Sequence, residues 1–96
     1  MEFLVTYDVA TDTVAGRRRL RRVAKTCEAY GQRVQKSVFE CTLNASQLVL
    51  LKHRLTEAMD EKADSLRFYR LREPREEYVE VLGKVPTFDL HDPLVV

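Results

Sequence analysis

The chain has 96 residues, of which 45% are hydrophobic and 32% are charged. It is too apolar for a disordered protein and too short for more than one compact domain. No apolar run approaches the ~20 residues of a membrane span, and the N-terminus lacks the basic and apolar segments of a signal peptide, so we expect a cytoplasmic protein without membrane contact.

The formal net charge of +1 hides a strong segregation of charge. Six of the nine residues in the range 17–25 are Arg or Lys, whereas the range 57–64 carries four acidic residues against one lysine. The chain is therefore basic in a place where a polyanion could dock.

The first predicted element is a strand over residues 2–9, EFLVTYDV, which is rich in β-branched and aromatic side chains and too short for a helix. Candidate capping side chains follow at Thr11, Asp12 and Thr13. Apolar residues then recur at three- and four-residue spacing, which predicts an amphipathic helix ending at Gly31.

The next elements are predicted from alternation, caps and prolines. Residues 33–43 read as strand, either one bent strand or a tight hairpin. Asn44 or Ser46 caps a second helix with one apolar stripe. Strands are then predicted over residues 64–71 and 76–83.

This order predicts a ferredoxin-like βαββαβ sandwich of the α+β class, with both helices on one face of an antiparallel sheet. The whole chain, residues 1–96, forms one domain. Because the other face stays open and an extra C-terminal strand follows, we expect a two-fold homodimer. In it, residues 76–96 supply the last strand and an arm that crosses onto the partner.

Asp8 is the sharpest candidate for chemistry. It lies at the carboxyl end of the first strand, where a carboxylate can present oxygens to a hard cation such as Mg²⁺. One carboxylate is a weak site, but two Asp8 side chains facing each other across a dimer axis would suffice. From the pattern alone, a turn or helix-cap acid is the better interpretation of Asp8, and a capping role is likewise the better interpretation of the nearby Asp12.

The run RRRLRR at residues 17–22 predicts a basic helix face, since the guanidinium group suits phosphate contact. The residues proposed to bind nucleic acid are Arg17, Arg18, Arg21, Arg22 and Lys25. A solvated helix face is the alternative interpretation. Further arginines that could extend the footprint are Arg33, Arg67, Arg70, Arg72 and Arg75.

Other common kinds of site find little support. His53 and His91 lack metal-ligand spacing, and Ser37 has no nearby His and Asp that would make it a nucleophile. Cys27 and Cys41 form no CxxC pair, so we expect both to be small buried hydrophobes. Glycine-rich phosphate loops are absent from the sequence.

Several segments together resemble one known family. These are TYDV at the end of the first strand, the arginine-rich helix, YGQRVQKSVFEC at 30–41, DSLRFYRL at 64–71 and GKVPTFDLHDPLVV at 83–96. In order and spacing the chain is similar to the small CRISPR-associated endonuclease of the spacer-acquisition complex. Its tail is similar to that of type I-C members, although GKVP replaces the GAKP typical of close relatives.

The resemblance implies a ferredoxin-like homodimer in which Asp8 of both protomers lies near the dimer axis and binds Mg²⁺ or Mn²⁺. It implies hydrolysis of phosphodiester bonds in RNA or double-stranded DNA, with Tyr7, Ser37 and Phe39 shaping the site. The alternative is a non-catalytic dimeric adaptor that bridges the CRISPR integrase subunits and positions duplex DNA. A regulatory domain unrelated to nucleic acid is a third interpretation.

Overall fold

The computed structural model describes residues 1–84, which form a four-stranded sheet with two long helices packed on one face. The elements are β1 (Glu2–Asp8), α1 (Val14–Glu28), β2 (Gln32–Gln35), β3 (Val38–Thr42), α2 (Ala45–Ala58), β4 (Ser65–Leu71) and α3 (Arg75–Tyr78). The strand order is β2-β3-β1-β4, and every neighbouring pair is antiparallel. The predicted ferredoxin-like βαββαβ architecture is therefore confirmed.

Side-chain caps fix where both long helices begin. At α1 the hydroxyl of Thr13 accepts a hydrogen bond from the N–H of Gly16 at 2.9 Å. At α2 the side chains of Asn44 and Gln47 each accept a hydrogen bond from the other's backbone N–H, at 2.8 and 2.9 Å, which is a capping box. No helix within residues 1–84 combines the length and the apolar character that crossing a bilayer requires.

Alternation along β1 divides the sheet into a core face and an open face. Phe3, Val5 and Tyr7 are buried against the helices, whereas Asp8 is exposed on the opposite side. The core consists of Phe3, Val5, Tyr7, Val9, Val23, Cys27, Phe39, Cys41, Leu43, Leu51, Leu55 and Ala58. Both cysteines are buried and free, so the prediction that they act as small buried hydrophobes is confirmed.

β2 and β3 form a hairpin, which decides between the two predicted arrangements of residues 33–43. A register shift between Arg33 and Gln35 marks a β-bulge. The turn that follows is tied to the end of β1, because the Tyr7 N–H donates to the carbonyl of Ser37 at 3.1 Å and the Tyr7 hydroxyl donates to the carbonyl of Lys36 at 3.2 Å.

The predicted strand over residues 76–83 is not formed at its start, where Arg75–Tyr78 make one helical turn instead. The N–H of Val79 donates to the carbonyl of Arg75 at 2.9 Å and closes this turn. Two glutamates in the first turn favour it, and no strand of the described sheet pairs with this segment. The strand prediction for residues 76–83 is therefore wrong, because residues 79–83 form no strand either. The rest of the expected arm, residues 85–96, lies outside the described part of the chain.

Candidate metal and nucleic-acid site

The open face presents Asp8 at the carboxyl end of β1. Its cross-strand neighbour is Ser65 of β4, and the next pair along this face is Thr6 with Arg67. The carboxylate of Asp8 is exposed and forms no ion pair with any residue among the 84 that the structure describes. It is therefore available to a ligand from outside the chain.

One copy of the chain supplies an incomplete metal site. Within residues 1–84, no group of three or more His, Cys, Asp or Glu side chains is placed to hold a metal ion. A carboxylate suits Mg²⁺ and Mn²⁺, and Mg²⁺ in proteins commonly takes one or two carboxylates together with waters and phosphate oxygens. Asp8 fits such an ion when a second carboxylate comes from another copy or when a bound phosphate completes the ligand set.

Two neighbouring clefts connect Asp8 with the basic helix. The first, of about 190 Å³, is lined by Tyr7, Asp8, Val9, Leu20, Lys36 and Ser37. The second, of about 270 Å³, is lined by Tyr7, Leu20, Arg21, Ala24, Lys25, Glu28 and Arg33. Because Tyr7 and Leu20 line both clefts, the cleft beside Asp8 adjoins the one beside Arg21 and Lys25.

Tyr7, the residue before Asp8, is part of the core and points to the opposite face of β1. Its ring stacks on that of Phe39, with centroids 6.2 Å apart and planes 25° from parallel. Burial raises the pKa of the Tyr7 phenol, an effect that the hydrogen bond from Arg33 partly offsets, so the hydroxyl stays protonated at neutral pH. Tyr7 and Ser37 line the same cleft as Asp8, and Phe39 is fully buried, while the site-shaping role of all three stays a prediction.

Arg33, one of the arginines that could have extended the phosphate footprint, is not part of the exposed basic surface. It is only 5% exposed, and its guanidinium lies over the Phe39 ring at 5.0 Å from the centroid. It donates to the hydroxyl of Tyr7 at 3.4 Å and pairs with Glu28 at 3.7 Å. Arg75 is not part of that phosphate footprint either, because it forms an ion pair with Glu40.

The predicted basic face of α1 is present, and we call it the arginine stripe. It consists of Arg17, Arg18, Arg21, Arg22 and Lys25, all exposed. Helical spacing places four of them, at positions 18, 21, 22 and 25, along one side of the helix. No acidic side chain among the described residues forms an ion pair with the stripe, so its charges are available to phosphate groups.

Arg19, in the middle of the same run, binds a buried carboxylate instead of facing solvent. Its Nε donates to Asp64 Oδ2 at 2.9 Å and its Nη2 donates to Asp64 Oδ1 at 3.4 Å. The Asp64 side chain is fully buried and also accepts from the backbone N–H groups of Ala10 and Asp60, at 3.1 and 2.9 Å. Burial alone would raise the pKa of Asp64, but these hydrogen bonds lower it below its ordinary value.

Sequence reasoning missed this role of Asp64 and grouped it with a surface acidic segment. Its partners are 45 and 54 residues away along the chain, at Arg19 and Ala10, so no local pattern reveals them. The only sequence signal is its position directly before β4, whose first residue pairs with Asp8.

Comparison with known proteins gives one consistent family. A family model described as "CRISPR associated protein Cas2" matches residues 1–79. The "CRISPR-associated endoribonuclease Cas2 1" of Moorella thermoacetica is 56% identical over 96 residues, which is 100% of both chains. The "CRISPR-associated endonuclease Cas2" of Halalkalibacterium halodurans is 53% identical over 95 residues, or 99% of each chain.

Solved structures agree with this result. The crystal structure of Streptococcus pyogenes Cas2 is 59% identical, covers 86% of this chain and 100% of that chain, and superposes with a TM-score of 0.77. A hypothetical protein from Thermus thermophilus is 37% identical, covers 90% of this chain and 94% of that chain, and gives a TM-score of 0.73. The fold described above is therefore shared over most of the chain.

Proposed function

Because this chain belongs to the CRISPR-associated Cas2 family, we propose that it is a CRISPR nuclease that hydrolyses phosphodiester bonds of RNA or double-stranded DNA. The observation that carries the proposal is the placement of Asp8, an exposed carboxylate at the end of β1 without an ion pair in the described chain. The relatives named above are called endoribonuclease or endonuclease, which supports the reaction class. Such a nuclease would act in the cytoplasm during spacer acquisition.

The metal site in this proposal is shared by two copies of the chain. Two-fold packing of the open sheet faces would bring both Asp8 carboxylates together and give Mg²⁺ or Mn²⁺ the second ligand that one chain lacks. Side chains that such packing would cover include Tyr69, which is 44% exposed on the same face. Val81 and Leu82 are also exposed, which supports a crossing role for the C-terminal segment 76–96.

When bound, the ion would polarise a phosphoryl oxygen and lower the pKa of a coordinated water. The chain's own residues position the substrate. Asp8 presents its carboxylate at the open face, and Tyr7 anchors the end of β1 through its buried ring and through its hydroxyl, which donates to the Lys36 carbonyl. The arginine stripe neutralises the phosphates on either side of the bond to be cut, since non-specific contacts of this kind fix register without reading sequence.

The test is cleavage by the dimer of the Asp8→Asn variant across Mg²⁺ and Mn²⁺ titrations, on matched RNA and duplex DNA. We expect cleavage to fall at least 100-fold, since loss of an outer-shell partner alone typically costs about 10–100-fold and Asp8 would be a direct ligand, while binding in EDTA is retained. Asp12→Asn is the matched control, because Asp12 is an exposed acid of the neighbouring loop. Equal cleavage by the parent and Asp8→Asn would refute the catalytic assignment.

A second function, a dimeric adaptor that bridges CRISPR integrase subunits and positions duplex DNA, is favoured by the arginine stripe. Its charges face solvent whether or not Asp8 binds a metal. Spacer acquisition that survives Asp8→Asn but fails after Arg18→Glu with Arg22→Glu would select the adaptor. Reconstitution with integrase subunits of different subtypes would test the proposed type I-C setting, which the similarity of the tail at residues 83–96 supports.

A further inference from the structure

We propose that Asp64 is a positioning residue for the Asp8 site. Its buried carboxylate holds the backbone that directly follows Asp8 and thereby sets where the Asp8 side chain points. This inference rests on the proposed metal site at Asp8, but its structural part can be measured in the absence of metal.

Asp64 joins three parts of the chain at one point. Its Oδ1 accepts from the N–H of Ala10 in the β1–α1 loop at 3.1 Å, and its Oδ2 accepts from the N–H of Asp60 in the α2–β4 loop at 2.9 Å. Arg19 adds the charge-assisted contact from α1 at 2.9 Å. Because the carboxylate is 0% exposed, removing it would take away the acceptor of these part-buried donors and leave a space that solvent does not fill freely.

Ala10 is held on its carbonyl side as well. A Cβ placed on Gly16 would lie 2.0 Å from the carbonyl oxygen of Ala10, so this loop packs directly against the first turn of α1. Val9, between Ala10 and Asp8, is buried in the core. The two residues after Asp8 are thus fixed by a hydrogen bond, a backbone contact and core packing.

The same geometry excludes Asp64 as the missing second metal ligand. Both of its oxygens already accept two hydrogen bonds each, two from the guanidinium of Arg19 and two from backbone N–H groups. No lone pair remains for a cation, and the side chain is closed to solvent. Asp64 can act on the site only through the backbone, including Ser65, which follows it and pairs with Asp8.

The experiment compares Asp64→Ala and Asp64→Asn with Asp60→Asn, whose side chain accepts only from the Lys62 N–H at 3.0 Å. Amide hydrogen exchange is measured by NMR in metal-free protein, and the dissociation constant for Mn²⁺ by electron paramagnetic resonance. We expect Asp64→Ala to speed exchange at the Ala10 amide and to raise the Mn²⁺ dissociation constant about tenfold, as loss of outer-shell partners does. Asp64→Asn should lie between it and the parent, since an amide oxygen still accepts one backbone hydrogen bond.

Nucleic-acid binding in EDTA should be unchanged in all three variants, because the arginine stripe is untouched. A folded Asp64→Ala or Asp64→Asn protein with faster exchange at Ala10 and unchanged Mn²⁺ affinity would overturn the positioning role, as would an unchanged rate at Ala10. Loss of nucleic-acid binding in EDTA together with loss of Mn²⁺ affinity would also overturn it, since that combination indicates general disruption of the fold. Failure of the proposed function would be recognised separately, because Mn²⁺ binding would then be unaffected by the Asp8→Asn substitution.

Discussion

Replacing Arg18 and Arg22 with alanine should reduce the salt dependence of nucleic-acid binding by about two fifths. Each phosphate contact on duplex DNA contributes about −0.9 to the slope of log K against log salt concentration. The five charges of the arginine stripe then give a slope of about −4.5 per chain, and removing two leaves about −2.7. Single-stranded RNA lowers each contribution to about −0.7, but the fraction lost stays the same.

The assay is fluorescence anisotropy of a short labelled duplex at several salt concentrations in EDTA, so that cleavage cannot interfere. Arg70→Ala with Arg72→Ala is the comparison variant, because it removes the same charge from exposed positions in and after β4 that could also extend the footprint. β4 is at the opposite edge of the sheet from β2, which α1 contacts. An equal change of slope in both double variants would show that phosphate binding is not specific to the stripe, and no change in the stripe variant would refute the proposed footprint.

Three further predictions concern stability and reactivity. Burial opposes the ionisation of Asp64, but its hydrogen bonds hold the pKa in the folded state below the ordinary value of 3.8. The ionised carboxylate therefore stabilises the fold fully above pH 3.8, and this stabilisation is lost as the pH falls through the pKa of the folded state. Urea titrations should show the free-energy gap between the parent and Asp64→Asn closing in acid, and a widening gap would contradict this sign. Gly16→Ala should destabilise the fold by about 1–3 kcal/mol in thermal unfolding, despite the better helix propensity of alanine, because its Cβ would overlap the Ala10 carbonyl; an unchanged melting temperature would contradict it. Burial raises the pKa of Cys27 to about 12 and that of Cys41 to about 11, so a thiol reagent at neutral pH should modify them only after unfolding, and rapid reaction of the native protein would argue against their burial.

Most of the fold could be predicted because its signals are local. Hydroxyl and amide caps mark the starts of both helices, and period-two alternation in β1 separates the buried side chains from Asp8. The prediction of a strand over residues 76–83 was wrong because these residues are compatible with either a strand or a turn of helix. A strand needs a neighbour to pair with, and sequence alone does not supply one.

The site was predicted only where single residues carry the signal. Position and spacing marked Asp8 and the arginine stripe as candidates, but only the family resemblance favoured Asp8 as a metal ligand. The structure places both on the surface, and the function of each stays a prediction. Arg33 was misplaced because its burial depends on the hairpin register that pairs it with Phe39. The structural role of Asp64 was missed because it depends on hydrogen bonds from Ala10 and Arg19, which are distant in sequence and come together only in the folded chain.

The lack of an ion pair at Asp8 also bears on how this protein can evolve. Its neighbours Tyr7, Val9 and Ala10 hold the end of β1 in place, and Asp8 adds no ion pair to the described chain. If Asp8 holds the metal as proposed, a single-codon change at this position would abolish cutting and leave the fold and the basic surface intact. Catalysis and scaffolding would be separable traits on one small domain, so that a lineage could lose the first and keep the second.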